Sequence, residues 1–351
     1  MAIYINGIGS ISPQETKDNS TFLSNIIEYT NAFLPILEPP YKEYIPPKNL
    51  RRMSKIIRNS IVAAHISMKD SNLEMPDAII TGTGLGCALD TEKFLSNMTE
   101  NKETFLTPTS FIQSTHNTIG GSIALGLACH NYNMTYVHRG FSFETALHDA
   151  KMMLDDGEIE NALVGGFDEM TDKHIILLKS IWSHQKDGVS NFQLRNPEEN
   201  GTIIGQGSNF FVLEKEKKLS SYAKLLDLKF FYKPDSVIEI IEEFLKNNKL
   251  NTKNIDLVIM GYNGISSETE VYDAVSDHLF PKTTIAWFKH LCGEFYTASA
   301  FGTWMAAQIL QKQYIPKSVI YKGNAPTKLH NILLYNQFQK NEHSLILFSQ
   351  C

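Results

Sequence analysis

The sequence is poor in cysteine, in net basic charge and in long apolar runs. Its four cysteines, Cys87, Cys129, Cys292 and Cys351, are scattered among 351 residues, and no two of them form a CxxC pair. This spacing argues against a zinc ribbon or a disulfide framework and favours a reducing cytoplasmic environment. The formal net charge of −6 argues against a nucleic-acid-binding protein, which would present a basic face.

Charged residues are also missing from one long stretch, residues 105–138. Its most apolar part, residues 119–129, is shorter than the roughly 20 residues that a membrane-spanning helix needs. The N-terminus has no basic region ahead of an apolar one, so we expect neither a signal peptide nor a membrane span. Burial against protein remains as the explanation for the missing charge.

Short apolar segments alternate with segments of helical periodicity. In the helical segments, apolar residues recur at steps of three and four, which is typical of a helix with one buried face. An alternation of strands and helices predicts an α/β protein with a mainly parallel sheet. The predicted strands, several of them fully buried, are residues 3–5, 78–81, 134–137, 162–164, 210–213, 257–260 and 345–348, and the predicted helices are residues 53–68, 141–155, 234–246 and 294–312.

Most predicted strands run directly into glycine, as at Gly7, Gly82 and Gly261. Glycine permits a tight turn at the carboxyl end of a strand, where open α/β sheets place their sites. The order strand, glycine, loop and helix occurs at residues 78–100 and again at 256–278. It predicts two similar halves, residues 1–216 and 217–351, which form one compact unit.

Three motifs suggest chemistry, and each has a plainer interpretation. The glycines at 82–86 have GxGxG spacing rather than the GxGxxG of a dinucleotide site, so a tight turn is expected. His116, inside the charge-free stretch, is expected to be a core or interface histidine. Cys292 precedes Glu294 by two residues, but nothing places the thiol beside the carboxylate. No histidine spacing indicates a metal site, and we expect neither a metal nor another cofactor.

A fourth candidate is the point where the strand at 134–137 meets the helix at 141–155. A side chain at such an elbow lies at a helix N-terminus, where the dipole stabilises a thiolate or an alkoxide. The elbow holds Arg139 and Gly140, and neither is a useful nucleophile. The nearest hydroxyl, Ser142, is expected to cap the helix.

Several segments, in order along nearly the whole chain, resemble the β-ketoacyl synthases of the thiolase fold. They include the opening strand and loop, the start of an early helix, the glycine turn, the interface segment and two later glycine-rich motifs. The resemblance implies a layered αβαβα arrangement of two similar halves. The matching segments are residues 5–13, 51–53, 81–86, 108–121, 157–169 and 200–214.

The family's condensation uses a cysteine that carries the acyl chain and two histidines that stabilise an enolate. On the resemblance, the cysteine position falls on Gly140, or on Arg139 if the register slips by one residue. The first histidine corresponds to Asn263 and the second to Glu294. Lys289 remains from the family pattern as a structural residue. We therefore expect no catalytic residue in this chain.

Two further family features are altered or only partly kept. The carboxylate that supports the lysine in the family is expected at Glu270 or Asp273. The family's Phe-Gly-Gly-Thr-Asn gate corresponds to residues 338–342, and of this gate only the aromatic Phe338 is retained.

A chain that keeps the scaffold and loses the reactive groups resembles the chain length factor of type II polyketide systems. The resemblance implies a heterodimer with an active ketosynthase. This chain would shape the acyl tunnel of the ketosynthase, and acyl carrier protein would bring substrates to the pair. Polyketide, polyene or fatty-acid synthesis is the expected context, with aryl polyenes as an analogy. Phe111, Ile112 and Phe338 are predicted pocket or interface contacts, with ordinary core positions as the alternative.

Two other functions stay open on the sequence. One is an enzyme of the same fold with altered chemistry, such as thioester hydrolysis in which Glu294 activates water. The other is a homodimer that binds acyl groups without turning them over.

Overall fold

The computed structural model describes residues 2–104, 106, 108–181, 187–196 and 200–351. These residues form eleven strands, numbered in chain order. They are Ile3–Ile11 (β1), Ala78–Gly82 (β2), Tyr132–Tyr136 (β3), Asn161–Asp168 (β4), Gly207–Glu214 (β5), Ala223–Tyr232 (β6), Leu257–Met260 (β7), Thr284–Trp287 (β8), Ile320–Lys322 (β9), Asn331–Phe338 (β10) and Glu342–Ser349 (β11).

The described helices range from one turn to more than four turns. The α-helices are Pro47–Leu50 (α1), Lys55–Ser71 (α2), Ala88–Glu100 (α3), Pro108–Gln113 (α4), Thr118–Leu127 (α5), Ser142–Asp156 (α6), Asp172–Ile181 (α7), Val237–Asn247 (α8), Ser266–Leu279 (α9), Lys289–Cys292 (α10) and Ala298–Lys312 (α11). Short 3₁₀ helices lie at Tyr41–Glu43, Arg139–Phe141, Asn191–Arg195, Thr252–Asn254 and Lys317–Val319. Within the described ranges, no helix combines the length and the apolar character that crossing a membrane requires.

The strands follow the order β3-β2-β4-β5-β1-β6-β11-β10-β7-β8-β9. On one side, β3, β2 and β4 are parallel, and β5 and β1 continue antiparallel. On the other side, β8, β7 and β10 are parallel, and β11 and β6 continue antiparallel. The same strand pattern therefore occurs twice around the β1–β6 pair. The proposed division of the chain after residue 216 stays a prediction.

The helices and strands form five layers, and three hydrophobic clusters fill the spaces between them, with the largest cluster on both sides of the central helices α6 and α11. Alternate strand residues point to opposite faces, so that Ile80 and Val164 face α6 and α11 while Ile79 and Leu163 face α2. Helix α11 packs against strands of both halves, including β5 and β10. A third cluster packs α8 and α9 on the faces of β7 and β10 that point away from α11. The arrangement is the αβαβα layering that the resemblance implied, and the α/β fold class is confirmed.

The sheet differs from the prediction in its strand directions. It is mixed, with six antiparallel pairings beside four parallel ones, rather than mainly parallel. The seven predicted strands and four predicted helices are all present, most of them longer than predicted. Strands β6, β8, β9 and β10 were not predicted. All four of these strands take part in antiparallel pairs, which explains the error.

Candidate functional site

The carboxyl ends of β7 and β8 bring together the residues that stand at the family's histidine and lysine positions. The two strands are parallel neighbours, so their carboxyl ends meet at one edge of the sheet. Asn263 follows β7 after Gly261 and Tyr262, and Lys289 begins α10 directly after β8. Glu294 follows α10. All three side chains are buried.

These side chains form one hydrogen-bonded network with a second carboxylate. Lys289 Nζ lies 2.7 Å from Glu294 Oε2, and it also donates to the backbone carbonyl of Gln337 at 3.1 Å. Asn263 Nδ2 donates to Glu294 Oε2 at 2.7 Å and to Glu268 Oε2 at 2.9 Å. Both amide hydrogens of Asn263 are therefore engaged by carboxylates. The site presents acceptors where the family's histidines would present donors.

Glu268 is a site residue that the sequence reasoning missed. The prediction of Glu270 or Asp273 as the carboxylate of this network is wrong. The buried face of α9 carries Glu268, Tyr272 and Leu279, whereas Glu270 and Asp273 lie off that face and are exposed. Asp273 instead accepts a hydrogen bond from the Tyr262 hydroxyl at 2.9 Å. Burial, reinforced by the neighbouring Glu294, raises the pKa of Glu268 to about 7.

The elbow after β3 has no room for a side chain at Gly140. The Gly140 N–H donates to Glu342 Oε2 at 2.9 Å. A Cβ at Gly140 would lie 2.6 Å from that oxygen and 2.7 Å from Phe338 Cβ. Because Phe338 Cβ is fixed to the backbone of β10, it cannot turn away. The Gly140 N–H, which lies at the predicted nucleophile position, is covered by a carboxylate of the chain itself.

The hairpin of β10 and β11 supplies both groups that fill the elbow. Phe338 and Glu342 are directly paired in the register of the two strands, so their side chains share one face. The turn between them places Gln339 at φ 52° and Lys340 at φ 61°, both in the left-handed region. Phe338 also packs on Tyr296, with ring centroids 5.0 Å apart. The structure thus brings Phe338 beside Gly140, while its predicted role with the acyl chain stays a prediction.

Neighbouring groups at the elbow brace the backbone. Arg139 has a φ of 48°, a left-handed conformation that is unusual for a residue other than glycine. The fully buried Ser142 hydroxyl accepts from the His138 N–H at 2.8 Å and lies 2.9 Å from the Thr83 carbonyl. It makes no hydrogen bond to the helix N-terminus, contrary to the capping prediction. Its bonds join the elbow to the glycine turn instead.

The glycine turn at residues 82–86 holds an internal anion. One oxygen of Asp168 accepts from the N–H groups of Gly84 and Leu85 at 2.8 and 3.0 Å, and from the Thr83 hydroxyl at 2.9 Å. The other oxygen accepts from the N–H and the hydroxyl of Thr297. Because Asp168 is wholly buried, its pKa is raised to about 6. The N–H groups of the glycine turn thus bind a carboxylate of β4, and the same carboxylate binds Thr297 at the start of α11.

The remaining candidates show no catalytic geometry. Cys292 is fully buried, and burial raises the pKa of its thiol. His116 is exposed and lies against Gly86, so it is not a core histidine, and its placement at an interface stays a prediction. In the described ranges, no three His, Cys, Asp or Glu side chains are grouped so as to hold a metal ion.

The charge-free stretch is much more exposed than expected. Phe105 and Thr107 lie outside the described residues, but the rest can be assessed. Strand β3 is at the edge of the sheet, where it pairs with β2, and its first three residues are exposed rather than buried. Phe111 is 56% exposed, Ile112 is 64% exposed and Leu125 of α5 is 84% exposed. Phe111 and Ile112 do not line the cavity that contains Phe338. Burial within this chain, as at Ile119 and Ile123, therefore accounts for only part of the missing charge, and burial of the rest against another protein stays a prediction.

The sequence also matches a known protein family over more than half of its length. Residues 37–218 match the profile described as the N-terminal domain of β-ketoacyl synthases. The chain belongs to the β-ketoacyl synthase family. No curated protein matches the sequence.

Solved structures of the same fold cover the whole chain at low sequence identity. A chain of the ishigamide ketosynthase/chain length factor is 16% identical with a TM-score of 0.82, and the match covers 100% of this chain and 99% of that one. A chain of a ketosynthase in complex with its chain length factor from Xenorhabdus doucetiae is 16% identical with a TM-score of 0.75, covering 100% and 98%. A chain from a type II polyketide acyl-carrier protein in complex with its ketosynthase is 16% identical with a TM-score of 0.77, covering 100% and 99%. These similarities establish the ketosynthase fold.

Proposed function

We propose that this chain is a non-catalytic member of the family that pairs with an active β-ketoacyl synthase, in the manner of a chain length factor. The active partner carries out the condensation, and this chain forms part of the wall of its acyl tunnel. Acyl carrier protein delivers substrates to the pair. The synthesis of a polyketide, a polyene or a fatty acid is the context in which such a pair acts.

The main support for this proposal is the elbow at Gly140, which is filled by side chains of the chain itself. Covalent acyl transfer needs a nucleophile and a vacant space beside it for the thioester carbonyl. Gly140 offers no nucleophile, and the Glu342 carboxylate covers its N–H. The space that a side chain would need is taken by Glu342 and by Phe338 Cβ.

The acidic network points in the same direction. A reacting thioester develops negative charge on its oxygen, which hydrogen-bond donors must stabilise. The donors of Asn263 and Lys289 already serve Glu294 and Glu268, and both carboxylates would repel an enolate. This arrangement disfavours condensation. It also gives no support to thioester hydrolysis, which passes through an oxyanion as well.

The exposed charge-free face supports pairing with another protein. Its apolar side chains include Phe111, Ile112, Leu125 and Met134, and the core of a protein interface is depleted of charge in the same way. The outer edge of β3 has backbone N–H and C=O groups available for a strand of a partner. The similar structures described as ketosynthases with a chain length factor or an acyl-carrier protein support the nature of that partner.

The proposal is tested by co-expression with each β-ketoacyl synthase of the same organism. We expect one of them to form a one-to-one complex with this chain, measured by light scattering after size exclusion. Phe111→Asp places a charge in the proposed interface and should weaken the complex at least about thirtyfold, as expected for an interface hot spot. The unfolding midpoint of the isolated variant should stay unchanged, because Phe111 is 56% exposed.

Leu219→Asp is the matched control. Leu219 is also an exposed apolar residue, but it lies in the segment between β5 and β6, outside the charge-free stretch. This variant should bind the ketosynthase like the parent. If the chain forms a stable homodimer and pairs with none of the synthases, the acyl-binding homodimer replaces the proposed heterodimer.

A further inference from the structure

A cavity of about 370 Å³ lies between helices α2 and α5, and residues 44–53 form its third wall. Helix α2 packs on the sheet face to which Ile79 and Leu163 point, whereas α6 and α11 pack on the opposite face. The cavity is therefore on the other side of the sheet from Gly140, which lies just before α6. Its volume is within the range of small-molecule sites, which is roughly 300–1,000 Å³.

The wall of this cavity is mostly apolar. Each side contributes apolar residues, such as Met53, Ile61 and Ile123. Within the described part of the chain, no Asp, Glu, Lys or Arg lines it. Lys48 and residues 51–52 are adjacent in sequence to lining residues, but these basic side chains are exposed and do not line the cavity. An engineered apolar cavity of about 150 Å³ binds benzene, so this larger volume suits a larger apolar molecule.

Three polar side chains also line the cavity, and within the described structure none of them has a hydrogen-bond partner. They are Asn49, His65 and Ser122. A small number of polar groups in an apolar wall is the arrangement that orients a bound small molecule. The cavity thus combines an uncharged apolar wall with free hydrogen-bonding groups.

His65 is the polar group whose direction is best defined. Ile61, His65 and Met68 follow one another along α2 at steps of four and three residues, so they share one face of the helix, and all three line the cavity. The His65 ring lies beside that of Tyr44, another lining residue, with ring centroids 6.4 Å apart. Burial lowers the pKa of His65, so its ring is neutral at neutral pH, with one nitrogen that donates and one that accepts.

We propose that this cavity binds a small uncharged molecule that has an apolar body and one neutral hydrogen-bonding group, such as a hydroxyl. The apolar body fills the space between α2 and α5, and the hydroxyl forms a hydrogen bond with the His65 ring. A charged head group would lose hydration beside a wall that offers no opposite charge, which is costly. Because the cavity and the filled elbow lie on different sides of the sheet, the inference does not depend on the proposed function.

Equilibrium dialysis of the full chain against three probes of one ring body tests the proposal. Thymol carries a hydroxyl, p-cymene is the same molecule without the hydroxyl, and p-isopropylbenzoate has a carboxylate in place of the ring methyl group. We expect thymol to bind at least about threefold more tightly than p-cymene and at least about tenfold more tightly than p-isopropylbenzoate. No binding of thymol, or binding no tighter than that of either other probe, would overturn the proposal.

A matched pair of glycine variants in α5 locates the site. Gly126 lines the cavity, and a Cβ there would have nothing within 4 Å, so Gly126→Leu adds a side chain at the wall without a clash. This variant should weaken thymol binding at least about tenfold. Gly121→Leu is the control, because Gly121 has the same free space in the same helix but does not line the cavity. Both variants replace a helical glycine by a better helix former, so both should fold.

His65→Leu tests the hydrogen bond separately from the apolar contacts. It should leave p-cymene binding unchanged and abolish the preference for thymol, and a preference that survives would contradict the role of His65. Thymol binding that is equal in the parent and in Gly126→Leu would place the ligand elsewhere and overturn the proposal. If thymol does not bind and Gly126→Leu no longer pairs with the ketosynthase, a side chain of the partner occupies the cavity instead of a small molecule.

Discussion

Restoring the family's nucleophile with the single substitution Gly140→Cys should fail, because the elbow is filled. The new Cβ would lie 2.6 Å from Glu342 Oε2 and 2.7 Å from Phe338 Cβ. Real Cβ atoms do not approach other heavy atoms this closely, so either the hairpin or the elbow must shift. The Glu342 carboxylate would also raise the pKa of the new thiol, since a neighbouring negative charge disfavours the thiolate.

The structural cost follows from the packing. Inserting a side-chain atom into a filled site typically costs about 1–3 kcal/mol of unfolding free energy. Gly121→Cys is the matched control, because a Cβ at Gly121, on the exposed face of α5, has nothing within 4 Å. This control should stay within about 0.5 kcal/mol of the parent. Adding Glu342→Ala to Gly140→Cys should recover only part of the loss, since Phe338 Cβ remains.

The assay combines urea unfolding with thiol labelling in a Cys351→Ser background. Cys351 is the exposed native cysteine, and the other three are buried. We expect iodoacetamide to label Gly121→Cys readily and Gly140→Cys slowly, and an acyl thioester to leave Gly140→Cys unmodified. A Gly140→Cys variant of parental stability with a rapidly acylated thiol would refute the filled elbow.

Two further predictions concern buried carboxyl groups. Burial raises the pKa of Glu144 from 4.5 to about 7, so the folded state retains a proton that the unfolded chain loses between these values. The unfolding free energy should therefore fall by about 3 kcal/mol from this group as pH rises across that window, and Glu144→Gln should flatten the slope in urea titrations at pH 5 and 8. Asp168→Ala leaves the buried donors of Thr83 and Thr297 unpaired, and we expect urea unfolding to show a loss of at least about 3 kcal/mol. A loss below about 1 kcal/mol would contradict the role assigned to Asp168.

Local sequence patterns predicted the strands that consist of uninterrupted apolar residues, and missed those that carry charged or polar residues. Strand β7 matches its prediction residue for residue, because it is a short apolar run buried on both faces. Strand β6 was missed because Lys224, Asp227 and Lys229 interrupt its apolar residues. Strand β10 carries Asn336 and Gln337, which are buried by long-range contacts that a local pattern does not reveal.

The candidate site was predicted in part. The resemblance selected Asn263, Lys289 and Glu294, and the structure brings these three together. The resemblance assigned no role to Glu342, because the hydrogen bond from Gly140 to Glu342 joins residues that are 202 positions apart in the sequence. The pairing of β10 with β11 creates this contact. Glu268 lies only five residues from Asn263, and the helical burial pattern of α9, which includes Tyr272 and Val275, is the signal that could have identified it.

The charge-free stretch shows a different limit of sequence reasoning. Missing charge indicates that a segment is kept from water, but it does not tell whether the chain itself or another molecule covers the segment. Helix α5 has Ile119 and Ile123 on its buried side and the exposed Leu125 on the other. One segment thus packs on its own chain and presents an apolar face outward.

The central claim is that the chemistry belongs to a partner and not to this chain. Its most direct test is the intact mass of both chains after the co-purified pair is incubated with an acyl-loaded carrier protein. We predict that the acyl group appears on the ketosynthase alone, and that replacing the partner's active-site cysteine abolishes both labelling and condensation. An acyl group attached to this chain, or condensation by this chain in isolation, would contradict the account.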